Sequence, residues 1–122
     1  MLKKIVALYS LLTGVSMAAV WTIYFFTGTV FGVEPPASGL CFHIAAEFVT
    51  AAFLTFAGIA FFAGSKYARH TFFAGIGMLI YAVVNSPGMY AGGPHYGFML
   101  SVFFSSFIFA ALFFVLALFI KD

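Results

Sequence analysis

The sequence has 122 residues, 65% of them hydrophobic and 7% charged, with a net charge of +2 and a mean hydropathy of +1.17. A water-facing domain has roughly a quarter of its residues charged, so this chain has too few to cover a soluble surface, and lipid is the expected solvent for most of it. The five basic residues form no stripe or patch of the kind that nucleic acids require, and the lone Cys41 rules out an internal disulfide or a cysteine-built metal centre.

Crossing about 30 Å of hydrocarbon takes about 20 apolar residues in a helix. The first such run covers 5–27. Lys3 and Lys4, followed by Ser16-Met17-Ala18, resemble the start and cleavage site of a signal peptide. The apolar run continues past that point through Trp21, Ile23, Tyr24, Phe25 and Phe26, so a retained span is expected. A loop follows in which Pro35-Pro36 bars any helix. The second span is expected over 40–63, ended by Gly64-Ser65-Lys66, and the third over 69–85, stopped by Ser86-Pro87-Gly88. Gly92-Gly93-Pro94 closes the next turn, and 95–119 form the fourth span. These runs are twice the length of a transmembrane strand and lack its alternation. Helices also satisfy every backbone group internally. The expected fold is therefore one all-α domain over 1–122, an integral membrane antiparallel four-helix bundle.

The positive charges set the expected orientation. Lys3 and Lys4 precede the first span, Lys66 and Arg69 lie between the second and third, and Lys121 follows the fourth. The segments 28–39 and 86–94 contain no lysine or arginine. The positive-inside rule then puts both termini and the middle loop in the cytoplasm of a cell-membrane protein. Small residues suited to close helix approach occur as Gly14 and Ala18, then Ala51, Thr55 and Gly58, then Gly75 and Gly77.

The functional reading rests on the few polar residues within the spans. An ionisable side chain in the membrane is costly and marks a functional site by default. Glu47 is one, about 10 Å below the outer end of the second helix at 1.5 Å per residue. His43, four residues earlier, shares its face, and Thr50 continues the stripe. Tyr81 and Asn85, also four apart, fall at the same depth on the third helix, and His95 opens the fourth. The cytoplasmic half offers only hydroxyls such as Ser10, Thr13, Ser105 and Ser106.

Several chemistries fit this set. His43, Glu47 and His95 form a two-histidine, one-carboxylate set of the kind that binds Zn, Fe or Cu. His43 and His95 would serve as axial ligands of one haem, a weaker match than a bare metal ion. Burial disfavours the charged carboxylate, so Glu47 is alternatively a proton site that exchanges against a solute. The structural alternative is a Glu47–His43 pair, or a neutral Glu47 bonded to Tyr81 or Asn85, that only rigidifies the bundle. Trp21, Tyr24, Tyr90 and Tyr96 read first as interface-belt aromatics, and His70 with Lys66 and Arg69 as a basic loop against lipid headgroups.

The expected function is binding or transport of a small ligand, a metal ion or proton-coupled solute, at an outer-half site of Glu47, His43, Tyr81 and Asn85. Two other classes remain: an accessory subunit of a larger membrane complex, and a haem-binding or metal-dependent membrane enzyme. No nucleotide-binding glycine motif or Cys-x-x-Cys pair is present, so enzymatic chemistry would fall to His43, Glu47 and His95. A homo-oligomer is a further expectation, because four helices enclose little volume.

Overall fold

The computed structural model describes residues 1–37 and 39–121. Four helices follow in order: α1 (Leu2–Thr27), α2 (Leu40–Phe62), α3 (Ala68–Asn85) and α4 (Tyr96–Leu118). All four are long and apolar enough to cross a membrane. α1 starts three residues earlier than the apolar run alone suggests, taking Lys3 and Lys4 into its first turn.

Glycine stops two of the helices. Gly28 adopts φ 75° and donates its N–H to the carbonyl of Tyr24 at 2.7 Å, satisfying a carbonyl that the helix end leaves open. Gly64, at φ 70°, does the equivalent after α2, donating to the carbonyl of Phe61. α3 ends at Asn85, directly before Ser86-Pro87-Gly88, and a 3-10 turn, Ser86–Tyr90, follows it. Pro87 falls in the first turn of that segment, a position where proline is tolerated. Between α1 and α2, Phe31 (φ 52°) and Gly32 (φ 78°) form a tight turn. It lets Val30 and Val33 exchange hydrogen bonds of 2.7 and 2.9 Å. Val33 then packs in one cluster with Tyr90 and Met99, tying this connection to the bundle end.

Consecutive helices pair antiparallel. On α1 and α2, Gly14 lies against Ala51 and Thr55, Ala7 and Leu11 against Gly58, and Trp21 reaches Glu47. On α2 and α3, Phe61 meets Phe72, and Leu54 meets Gly75. On α3 and α4, Arg69 donates to the carbonyl of Leu118 at 3.4 Å, and Phe73 meets Phe114. Tyr9 stacks on Phe113 at 3.9 Å, bringing α1 back against α4. The result is an up-down-up-down four-helix bundle.

Close packing concentrates between α1 and α2. A Cβ on Gly14 would lie 2.7 Å from the carbonyl oxygen of Ala51, and one on Gly58 would lie 2.9 Å from that of Ala7. Across the same seam the buried Ser10 hydroxyl donates to the carbonyl of Leu54 at 2.6 Å. Leu54, Phe72 and Ile76 are fully enclosed at the centre. α4 is the opposite case: 11% of its most apolar stretch is buried, and Phe104, Phe109 and Leu112 face outward.

Candidate functional site

The antiparallel order collects the C-terminal end of α1, the N-terminal end of α2, the C-terminal end of α3 and the N-terminal end of α4 at one end of the bundle. Near that end a cleft of about 700 Å³ opens between α2 and α3. On α2 its wall is Gly39, Phe42, His43, Ala46, Glu47 and Thr50, residues at the three- and four-residue spacing of one helical face. The α3 wall repeats that spacing with Gly77, Met78, Tyr81, Ala82 and Asn85. The cleft exists because these facing stripes are partly of small residues. Deeper in the bundle Gly75 seats against Leu54, where a Cβ would meet the leucine at 3.0 Å; at Gly77 a Cβ would meet nothing within 4 Å. Gly77 therefore leaves space instead of bringing two helices together, contrary to the sequence reading.

Four of the five sequence-derived site residues, His43, Glu47, Tyr81 and Asn85, line this one cleft. Tyr81 stands at its rim, 71% exposed, whereas the side chains of His43 and Glu47 are 14% and 12% exposed. The fifth residue, His95, lies elsewhere. It lines a second cavity of about 860 Å³ walled by the connecting segments, with Glu34, Pro35, Tyr90 and Tyr96. Met89 borders both cavities. His95 is displaced because α4 starts only at Tyr96, after a turn made by Gly92, Gly93 and Pro94. The structure thus does not bring the two histidines together in the cleft. Among the described residues, no three His, Cys, Asp or Glu side chains gather as metal ligands.

The surroundings of the Glu47 carboxylate are more informative. Oε1 lies 3.7 Å from His43 Nε2, and Oε2 accepts a hydrogen bond from Trp21 Nε1 at 3.4 Å. The Trp21 and His43 rings meet edge to face, with centroids 5.3 Å apart and planes at 70°. Trp21 is 5% exposed and also meets Tyr24 edge to face. It is a partner of the acidic group and not only a belt aromatic. Sequence reasoning put Trp21 at the right depth; the register fixed by Gly14 opposite Ala51 and Thr55 is what turns it toward Glu47.

Neither neighbour is close. Charge-assisted bonds between N–H groups and carboxylates typically span about 2.7–2.9 Å, so one donor at 3.4 Å leaves a buried anion poorly compensated. The arrangement therefore suits a carboxyl group that holds a proton or pairs with an arriving cation. Ser86 adds a second unmet polar atom. Ser86 borders the cleft, but the residue is 1% exposed and its hydroxyl is buried behind the wall without a hydrogen-bond partner among the described residues. Thr50 is occupied, donating to the carbonyl of Ala46 at 2.9 Å. Ser86 reads in sequence as a turn residue, and nothing in the sequence marks it as part of a site.

No curated protein and no solved structure matches this chain. A family model matches residues 1–122, and the chain accordingly belongs to the family described as "Domain of unknown function (DUF8058)".

Proposed function

We propose that this chain crosses the cell membrane as four spans with both termini in the cytoplasm, and that it binds a small solute in the α2–α3 cleft in exchange for a proton on Glu47. The observation that carries this reading is the joint placement of Glu47, His43, Tyr81 and Asn85 around one cleft, with the carboxylate short of close donors. In hydrocarbon such a group is neutral or paired, and switching between the two states couples proton release to solute binding. The orientation follows from the distribution of Lys3, Lys4, Lys66, Arg69 and Lys121. It makes the cleft face the extracytoplasmic side. Proton exchange is preferred to a resident metal ion because, among the described residues, no third His, Cys, Asp or Glu joins His43 and Glu47 in the cleft.

The sole tryptophan provides the test, because Trp21 donates to Glu47. In lipid nanodiscs, Trp21 emission of the wild type should change in one transition across a pH titration. Glu47→Gln should abolish that transition, whereas His43→Gln should leave a transition in place. Identical titrations of wild type and Glu47→Gln would overturn the reading.

A further inference from the structure

We propose that the α2–α3 cleft takes an amphipathic amine, a monocation whose ammonium group pairs with Glu47 while its apolar body lies along Phe42, Met78 and Met89. This deepens the proton-exchange reading and rests on it. Charge is the first constraint. Among the described residues the cleft contains one carboxyl group and no lysine or arginine, so a single positive charge is its complement once Glu47 gives up its proton, and an anion would find no cationic lysine or arginine partner. Ligand type is the second. Among the described residues, one imidazole and one carboxylate line the cleft, 3.7 Å apart, too few for zinc, which takes three or four such ligands. The third constraint is the wall. Beyond its few polar atoms it consists of Phe, Met, Ala and Gly side chains, a poor match for a sugar or other polyhydroxylated solute.

The remaining polar features favour an ammonium group specifically. An alkylammonium carries three donors and no acceptor. The residues lining the cleft offer acceptors: the Glu47 carboxylate and the Asn85 amide oxygen. A volume of about 700 Å³ falls in the range of sites for drug-sized ligands. The rim residues Phe42 and Tyr81 are 84% and 71% exposed, so an apolar body can enter sideways from the hydrocarbon. Binding then balances as an exchange. The ligand arrives as R–NH3⁺, the neutral Glu47 carboxyl loses its proton to water, and a carboxylate–ammonium pair remains; no covalent bond to carbon changes.

The test uses three probes of one shape and different charge: adamantylmethylamine, adamantylmethanol and adamantanecarboxylate. Each is titrated by calorimetry into the full chain in nanodiscs, in two buffers of different ionisation enthalpy. The amine should bind saturably with release of about one proton per chain, the alcohol at least about tenfold more weakly, and the carboxylate not at all. Glu47→Gln should lose amine binding. Gly77→Leu should lose it too, because its side chain fills the cleft where a Cβ meets no neighbour, while its helical circular dichroism stays that of the wild type and its unfolding is no easier. Equal binding of amine and alcohol, or full amine binding by Glu47→Gln or Gly77→Leu, would overturn the proposal. If no probe binds while Trp21 emission still titrates with Glu47, the amine proposal falls and the proton site stands; if both are absent, both fall.

Discussion

Replacing Gly14 and Gly77 by alanine is the same chemical change at two interior helix positions, and the structure predicts opposite outcomes. On Gly14 a Cβ would lie 2.7 Å from both the Ala51 carbonyl oxygen and the Thr55 amide nitrogen. Ordinary contact begins near 3.4 Å, so α1 and α2 would have to separate by roughly 0.7 Å at this level. Both obstructing atoms belong to the backbone of a packed helix and cannot rotate away. Overpacking of this kind costs about 1–3 kcal/mol. The intrinsic gain from replacing a mid-helix glycine offsets about 0.5–1 kcal/mol of that, leaving a net loss centred on about 1 kcal/mol and reaching about 2.5 kcal/mol. On Gly77 the Cβ meets nothing within 4 Å, so only the gain remains, and Gly77→Ala should stabilise by about 0.5–1 kcal/mol. Reversible unfolding in mixed micelles, followed by far-ultraviolet circular dichroism, reads both. Equal effects of the two substitutions, or a stabilising Gly14→Ala, would refute the packing argument.

Other outcomes follow from individual contacts. Ser10→Ala removes the buried hydrogen bond to the Leu54 carbonyl and should cost about 1 kcal/mol by the same unfolding assay. Trp21→Ala empties a buried site and removes the ring contacts to His43 and Tyr24, so it should cost about 3 kcal/mol or more, with Trp21→Phe recovering most of the loss. Cys41, exposed near the start of α2 and the only cysteine, should react with a membrane-impermeant maleimide added outside intact cells; labelling only after the cells are opened would reverse the proposed orientation. The purified protein should be colourless, free of bound transition metal by elemental analysis, and indifferent to chelator in its unfolding.

Which features were legible in sequence depends on whether they are set by one segment or by two. The four helices are properties of single segments. Long apolar runs bounded by Gly28, Pro35-Pro36, Gly64 and Gly92-Gly93 allow little else, and the helices form where those signals point. α3 ends at Asn85 before Pro87 as that signal indicates; the 3-10 turn over Ser86–Tyr90 that follows was not legible, because proline is also tolerated in the first turn of a new segment. Depth along a span is also local, and for that reason His43, Glu47, Tyr81 and Asn85 were recognisable as belonging to one level.

Facing is a pairwise property, and it was less legible. Trp21 pairs with Glu47 only because Gly14 and Gly58 fix the register of α1 against α2. Gly77 and Gly75 look equivalent in the sequence, yet two positions along a helix is about 200° of rotation, so one seats on Leu54 and the other opens the cleft. His95 was expected at the depth of the site but sits before the first turn of α4, among the connecting segments, and lines the other cavity.

The central claim is that Glu47 exchanges a proton within the α2–α3 cleft. Infrared difference spectroscopy of the protein in lipid across a pH titration addresses it most directly, because the C=O stretch of a protonated carboxyl group in apolar surroundings is resolved from that of a carboxylate. The account predicts a protonated-carboxyl band that titrates in the wild type and is missing from Glu47→Gln. Superimposable wild-type and Glu47→Gln spectra at every pH would contradict it.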